Sequence, residues 1–169
     1  AGDYDENLCE STDALEQAYA AGVPMGGVLE RTDNDAPPRF FISAQRDQGT
    51  EMYPANPLER IQIIKGWVDD AGETHERVVD VLGEETVGLG VDMNSCAATA
   101  PGHASLCTVW KDPSYVKGES AFYYARVLET PSCRWSTLQC QAAGVNPLSD
   151  TCSVQAETAN LLANDNGDS

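Results

Sequence analysis

Six cysteines, at positions 9, 96, 107, 133, 140 and 152, constrain this chain more than any other feature of its sequence. The count is even, no C-x-x-C pair occurs, and only His75 and His103 are available to complete a zinc site, so the pattern reads as a disulfide framework. Several connectivities are open to it. Short loops favour Cys96–Cys107 and Cys133–Cys140, which leaves Cys9 and Cys152 to tie the two ends together. The competing reading is six reduced, buried thiols in a cytosolic protein. Because disulfides persist in oxidising compartments, a periplasmic or extracellular location is expected.

A length of 169 residues suits one domain spanning the whole chain. Ten Lys and Arg against 27 Asp and Glu give a net charge of −17, which repels phosphate backbones and anionic lipid alike. Neither a nucleic acid nor a membrane is therefore an expected partner. At 41% hydrophobic residues the chain is too apolar for wholesale disorder, and no apolar run approaches the length of a membrane span. It opens with Ala-Gly-Asp-Tyr, without an initiator Met or a signal peptide, and it stops in the polar run Asn164–Ser169. Both ends suggest a piece of a longer protein.

Hydrophobic periodicity predicts mostly strands. A short helix is expected over 12–21, with Asp13 as N-cap, Glu16 three positions on, Leu15 and Tyr19 on one face, and Gly22 and Pro24 as the stop. Strands follow at 39–44, 59–68, 74–82, 106–111 and 120–129, with turn chemistry at Asp69-Asp70-Ala71-Gly72 and Asp112-Pro113. In the second of these, Ile61, Ile63 and Trp67 share one face, and Ile64 and Val68 the other. Residues 153–169 read as a polar tail or short helix. The fold class expected is mainly β (α+β), an antiparallel sandwich-like sheet with a short N-terminal helix, long loops and disulfide staples.

The motifs of common catalysts are missing. Gly88-Leu89-Gly90 lacks the third glycine of a dinucleotide fingerprint, and Gly118-Glu119-Ser120-Ala121-Phe122 lacks the second glycine of a nucleophile elbow. Two histidines 28 residues apart are thin material for a transition-metal centre. No catalytic or metal-ligating residue is assigned. Calcium, which takes several oxygens from one short loop, has candidate sites at Asp33 with Asp35, Asp69 with Asp70 and Asp165 with Asp168. None completes a twelve-residue calcium loop, so a solvated acidic surface is the competing reading.

Two loops are candidates for substrate contact. One carries Met25, Gly26 and Gly27, and the other carries Arg46, Asp47, Gly49 and Thr50. A forked guanidinium beside a permissive glycine suits an anionic ligand; the plainer role is an Arg46–Asp47 brace inside the loop. Arg126 shares a face with Phe122 and Tyr124, and Arg134 precedes Trp135, placements that suit paired charges or cation–π contacts.

Five ordered strings carry a resemblance. They are Gly22–Gly27, Phe41–Thr50, Leu58–Asp69, Val109–Pro113, and Ala121–Glu129 followed by Pro131–Ser136. Together the chain over about residues 1–150 resembles the bacterial domain-of-unknown-function family 3604, whose members are similar to the polymerase-and-histidinol-phosphatase (PHP) superfamily of metal-dependent hydrolases. The resemblance implies a C-terminal β region of a secreted hydrolase, a phosphoesterase by class. Its divalent metal would be held by an N-terminal barrel of the same parent protein, which is then this region's partner. None of the family's metal-ligand motifs maps onto this chain, so the chain itself carries no cofactor beyond the calcium considered above. The other functional reading is a stand-alone extracellular module that uses exposed Trp67, Trp110 or Trp135, with calcium, to hold a carbohydrate or protein partner.

Overall fold

The strand β2 (Leu58–Val68) is the longest element of the computed structural model, which describes residues 1–30, 36–51, 55–83, 90–92, 96, 98, 99, 101–146, 153–155, 157 and 158. Its isoleucines explain its place. Ile61, Ile63 and Ile64 are all essentially inaccessible although they alternate across the pleat, so both faces of β2 are covered along this stretch. Burying each contributes about 1.5–3 kcal/mol. The strand is central in an antiparallel sheet of order β3-β2-β5, flanked by β3 (Thr74–Leu82) and β5 (Ala121–Glu129).

A second antiparallel sheet pairs β1 (Arg39–Gln45) with β4 (Ser105–Lys111), register Phe40 to Trp110 and Ser43 to Cys107. Leu58 and Ile61 of β2 meet Leu106 of β4 in the buried core, with Ile42, Ala44, Val81 and Leu82 packed around them. Farther along, the ring of Phe40 lies 4.6 Å from that of Tyr123 and 5.7 Å from that of Trp110. The two sheets thus face each other across one apolar layer, and the chain is mainly β, antiparallel and sandwich-like.

The β2–β3 connection is built by Asp69. Its Oδ1 accepts the backbone N–H groups of Ala71 and Glu73, both at 2.9 Å, and Gly72 takes a φ of +81°, a region closed to most side chains. Before β1, the N-terminal segment is laid along that strand by paired backbone bonds between Gly2 and Arg39. A 3-10 turn at Leu8–Glu10 follows, then α1 (Ala14–Ala21). Asp13 flanks α1 as expected, but its carboxylate accepts from the Ser11 hydroxyl and Gln17 Nε2 and makes no capping bond to the helix. Leu15 and Tyr19 are exposed, so this helix buries no apolar face.

Contacts divide the chain into two units, Ala1–Gly88 with Pro101–Thr130, and Leu89–Ala100 with Pro131–Ser169. All of the above belongs to the first. In the second, α2 (Trp135–Ala142) lies in a stretch to which the sequence reading gave no element of its own. The Gly144 that ends it, with Val145 N–H bonded to Cys140 O at 2.8 Å, was the available stop signal. Residues 153–155, 157 and 158 are helical, in keeping with the short helix expected there.

The bridges differ from the short-loop expectation. Cys9 is joined to Cys107, and Cys96 to Cys133. Cys140 lies within α2, whereas Cys133 precedes that helix and is bonded to Cys96. Cys107, held in register inside β4, is joined to the 3-10 turn and not to Cys96, which belongs to the second unit. Cys9 is therefore not the partner of Cys152, which lies outside the described residues. Bridges of this kind are consistent with an extracellular or periplasmic protein.

Candidate functional site

The face of the three-stranded sheet turned away from β1 and β4 is organised in rows across the strands. Register places Glu76, Gly66 and Phe122 in one row, Val78, Ile64 and Tyr124 in the next, and Asp80, Gln62 and Arg126 in the third. The third row is closed by polar bonds. Gln62 Nε2 donates to Asp80 Oδ1 at 2.7 Å, and Arg126 Nε donates to Gln62 Oε1 at 3.0 Å, while Arg60 Nε lies 3.3 Å from Asp80 Oδ1. This gives Arg126 a structural partner on the face it was expected to share with Phe122 and Tyr124.

The other two rows are buried at their centre, at Gly66 and Ile64, and carry exposed apolar side chains on the flanking strands. Phe122 is 60% exposed, and Val68, Val78 and Tyr124 are exposed as well. The rings of Phe122 and Tyr124 are parallel to within 9°, with centroids 6.4 Å apart. Beyond them a cavity of about 550 Å³ is lined by Gly66, Trp67, Val68, His75 and Phe122, among others. At this end of the sheet the Trp67 and His75 rings stack at 5.1 Å, and His75 Nε2 meets Asp69 Oδ2 at 2.8 Å. The His75 hydrogen bond, with backbone donors, holds the Asp69 carboxyl below its ordinary range.

A second polar cluster is buried on the opposite face of β2. Lys65 Nζ lies 3.1 Å from Asp112 Oδ2 and 3.0 Å from Glu119 Oε1, donates to Ser114 O at 3.1 Å, and sits 5.0 Å from the Trp67 ring centroid. Asp112 also accepts from Ser114 N–H, the Ser114 hydroxyl and the Tyr123 hydroxyl. Burial pushes the Asp112 carboxyl up, but these donors outweigh it and the net direction is down. Burial first, and then the bond to Asp112, raise the Tyr123 hydroxyl far above its ordinary value. Sequence reasoning missed this cluster. Its signal was a lone Lys at a core position of an alternating apolar strand.

The loop candidates are placed separately. Met25, 75% exposed, lines a cavity of about 220 Å³ with Tyr4, Tyr19, Phe41 and Ser43, and Gly27 N–H closes a turn onto Pro24 O. Gly26, at the tip, has open space around it. Arg46, Asp47, Gly49 and Thr50 follow β1 and are exposed; none lines that cavity. Asp47 Oδ1 accepts Gly49 N–H at 2.7 Å, so the aspartate braces the loop through the glycine, and Arg46 N–H is anchored to Ala104 O.

Among the described residues no three His, Cys, Asp or Glu side chains gather so as to hold a metal ion. His103 contributes backbone bonds to Leu58, and Asp69 is committed to its turn and to His75. Asp33, Asp35, Asp165 and Asp168 lie outside the described residues. Of the tryptophans, Trp135 is 72% exposed on α2, whereas Trp67 and Trp110 pack against His75 and Phe40. No helix among the described residues is long and apolar enough to cross a membrane.

A family model described as "Protein of unknown function (DUF3604)" matches residues 1–160. The chain belongs to this family. The match takes in every named strand of this DUF3604 member and both helices, so the open sheet face and the buried lysine cluster lie within the region the family defines. No curated protein and no solved structure gives a match to it.

Proposed function

We propose that this DUF3604 chain is the non-catalytic β region of a secreted, PHP-like metal-dependent hydrolase, a phosphoesterase by class. Its divalent metals would be held by an N-terminal barrel of the same parent protein. The observation that carries this reading is the open face of the three-stranded sheet. Phe122, Tyr124, Val78 and Val68 expose apolar side chains on this face, beside the polar Asp80–Gln62–Arg126 row. Such a face gains free energy when another surface covers it, and in this reading the barrel does so. The exposed Arg46, on its Asp47-braced loop, is then a contact for an anionic substrate group.

The test compares the parent protein with this chain, using p-nitrophenyl phosphate and manganese or zinc. Turnover by the parent and none by the chain alone is the expected result; turnover by the chain alone overturns the reading. Phe122→Glu should lower the melting temperature of the parent by more than it lowers that of the isolated chain. Arg46→Ala should reduce kcat/KM in the parent, and an unchanged value leaves its loop only a structural part.

A second reading rests on Trp135 and on the parallel Phe122 and Tyr124 rings, which suit a stand-alone module that stacks on a sugar face. Quenching or a blue shift of tryptophan emission on adding oligosaccharides, with or without calcium, would favour it.

A further inference from the structure

The Lys65 cluster has the composition and placement of a site for covalent bond formation. An amine nucleophile and a carboxyl lie 3.1 Å apart, and their side chains are only 4% and 2% exposed. A second carboxylate, Glu119 Oε1, is 3.0 Å from the same nitrogen and lies outside hydrogen-bond geometry with it. The surroundings are apolar: the Trp67 and Tyr123 rings lie within 6 Å of Nζ by centroid distances of 5.0 and 5.8 Å. The ion pair thus holds Nζ against the Asp112 carboxyl, whose Cγ is the atom to be attacked, where bulk water has little access.

We propose that Lys65 and Asp112 condense without a partner enzyme to an intramolecular isopeptide bond, with Glu119 relaying the proton. The balance closes within the cluster. An ammonium and a carboxylate give a secondary amide and one water, the Nζ–Cγ bond forming as the Cγ–Oδ2 bond breaks. Two of the three ammonium protons leave with Oδ2. Glu119 takes a proton from Nζ, freeing the lone pair, and returns it to the departing oxygen. Asp112 Oδ1, where charge develops in the tetrahedral intermediate, already accepts Ser114 N–H at 2.8 Å and the Ser114 hydroxyl at 2.7 Å. The Tyr123 hydroxyl stands 2.8 Å from the leaving Oδ2.

The driving force is desolvation. A buried ion pair has lost its hydration, and its mutual attraction only partly offsets that loss. A neutral amide in the same place removes the charges of Lys65 and Asp112, and Glu119, the more exposed carboxylate, keeps its own. Equilibrium is further displaced because the water released leaves an apolar site. The product would join β2 to the turn after β4 and so cross-link the two sheets.

Intact mass of the folded chain after full reduction and denaturation decides the matter. The expected value is one water below the mass of the reduced sequence. Tryptic digestion should then lose cleavage after Lys65 and yield residues 61–77 joined to residues 112–117. Lys65→Arg and Glu119→Gln should both restore the full mass. A wild-type chain that is folded by circular dichroism yet has the full mass and free cleavage at Lys65 overturns the proposal, as does a water loss that maps elsewhere. Cross-linking of Glu119→Gln at the wild-type rate removes Glu119 from the relay. None of these outcomes depends on the parent protein or its activity.

Discussion

The ring of Phe122 occupies the space directly above Gly66: a methyl group at residue 66 would lie 2.2 Å from its Cζ and 2.3 Å from its Cε1. Glycine in a central strand normally costs about 0.5–1 kcal/mol relative to alanine, so this position trades strand stability for a ring laid across the sheet. Gly66→Ala should push the ring outward and destabilise the chain by about 1–2 kcal/mol. In a Phe122→Ala background the same substitution should be neutral or stabilising. Urea unfolding of the four proteins in the cycle measures the coupling directly.

Core and open face should respond differently to the same deletion. Ile61→Ala removes a side chain with no accessible surface and is expected to cost about 2–5 kcal/mol. Val68→Ala, on the open side of the same strand, should change stability by less than about 0.5 kcal/mol. A shift in urea midpoint at constant slope is the readout.

The two bridges should act on separate transitions. In the chain-entropy model, cross-linking residues 98 apart stabilises by about 4–5 kcal/mol, and residues 37 apart by about 4 kcal/mol. Cys9→Ser with Cys107→Ser should lower the melting of the first unit. Cys96→Ser with Cys133→Ser should leave that transition in place and lower only the second unit's. Differential scanning calorimetry distinguishes the two.

Acid should loosen the β2–β3 hairpin through Asp69. Its carboxyl is held below the ordinary 3.8, chiefly by His75, so the stability it contributes is present above that value and is lost as pH falls through the folded-state value. Asp69→Asn should flatten this part of the acid dependence. Amide exchange or the His75 ring resonances, followed from pH 6 to pH 3 in both proteins (about the range where carboxylates titrate), check the sign.

The strands were legible because their signals are local. Alternation at Ile61–Val68, the β-branched and aromatic run at 121–129, and Asp69–Gly72 turn chemistry each act within a few residues. The disulfide pairing was not, because it depends on where distant segments meet. Cys107 is in β4 and Cys9 is in a turn nearly a hundred residues earlier, a proximity created by sheet register and invisible to loop length. The same holds for Lys65 with Asp112 and Glu119, which join a strand to a turn some 50 residues away. Of the loop candidates, a brace was expected between Arg46 and Asp47, whereas Asp47 accepts from Gly49 N–H, and the separation of Met25 from Arg46 needed the folded chain.

The second unit is assembled from two separated stretches, Leu89–Ala100 and Pro131–Ser169, and Cys96–Cys133 ties one to the other. A protease that cuts between residues 113 and 130 would sever the backbone link between those stretches without releasing either from the other. Nicked material would therefore run as intact protein on a non-reducing gel and fall into fragments only after thiol treatment. Backbone integrity and covalent integrity are, for this chain, two different properties.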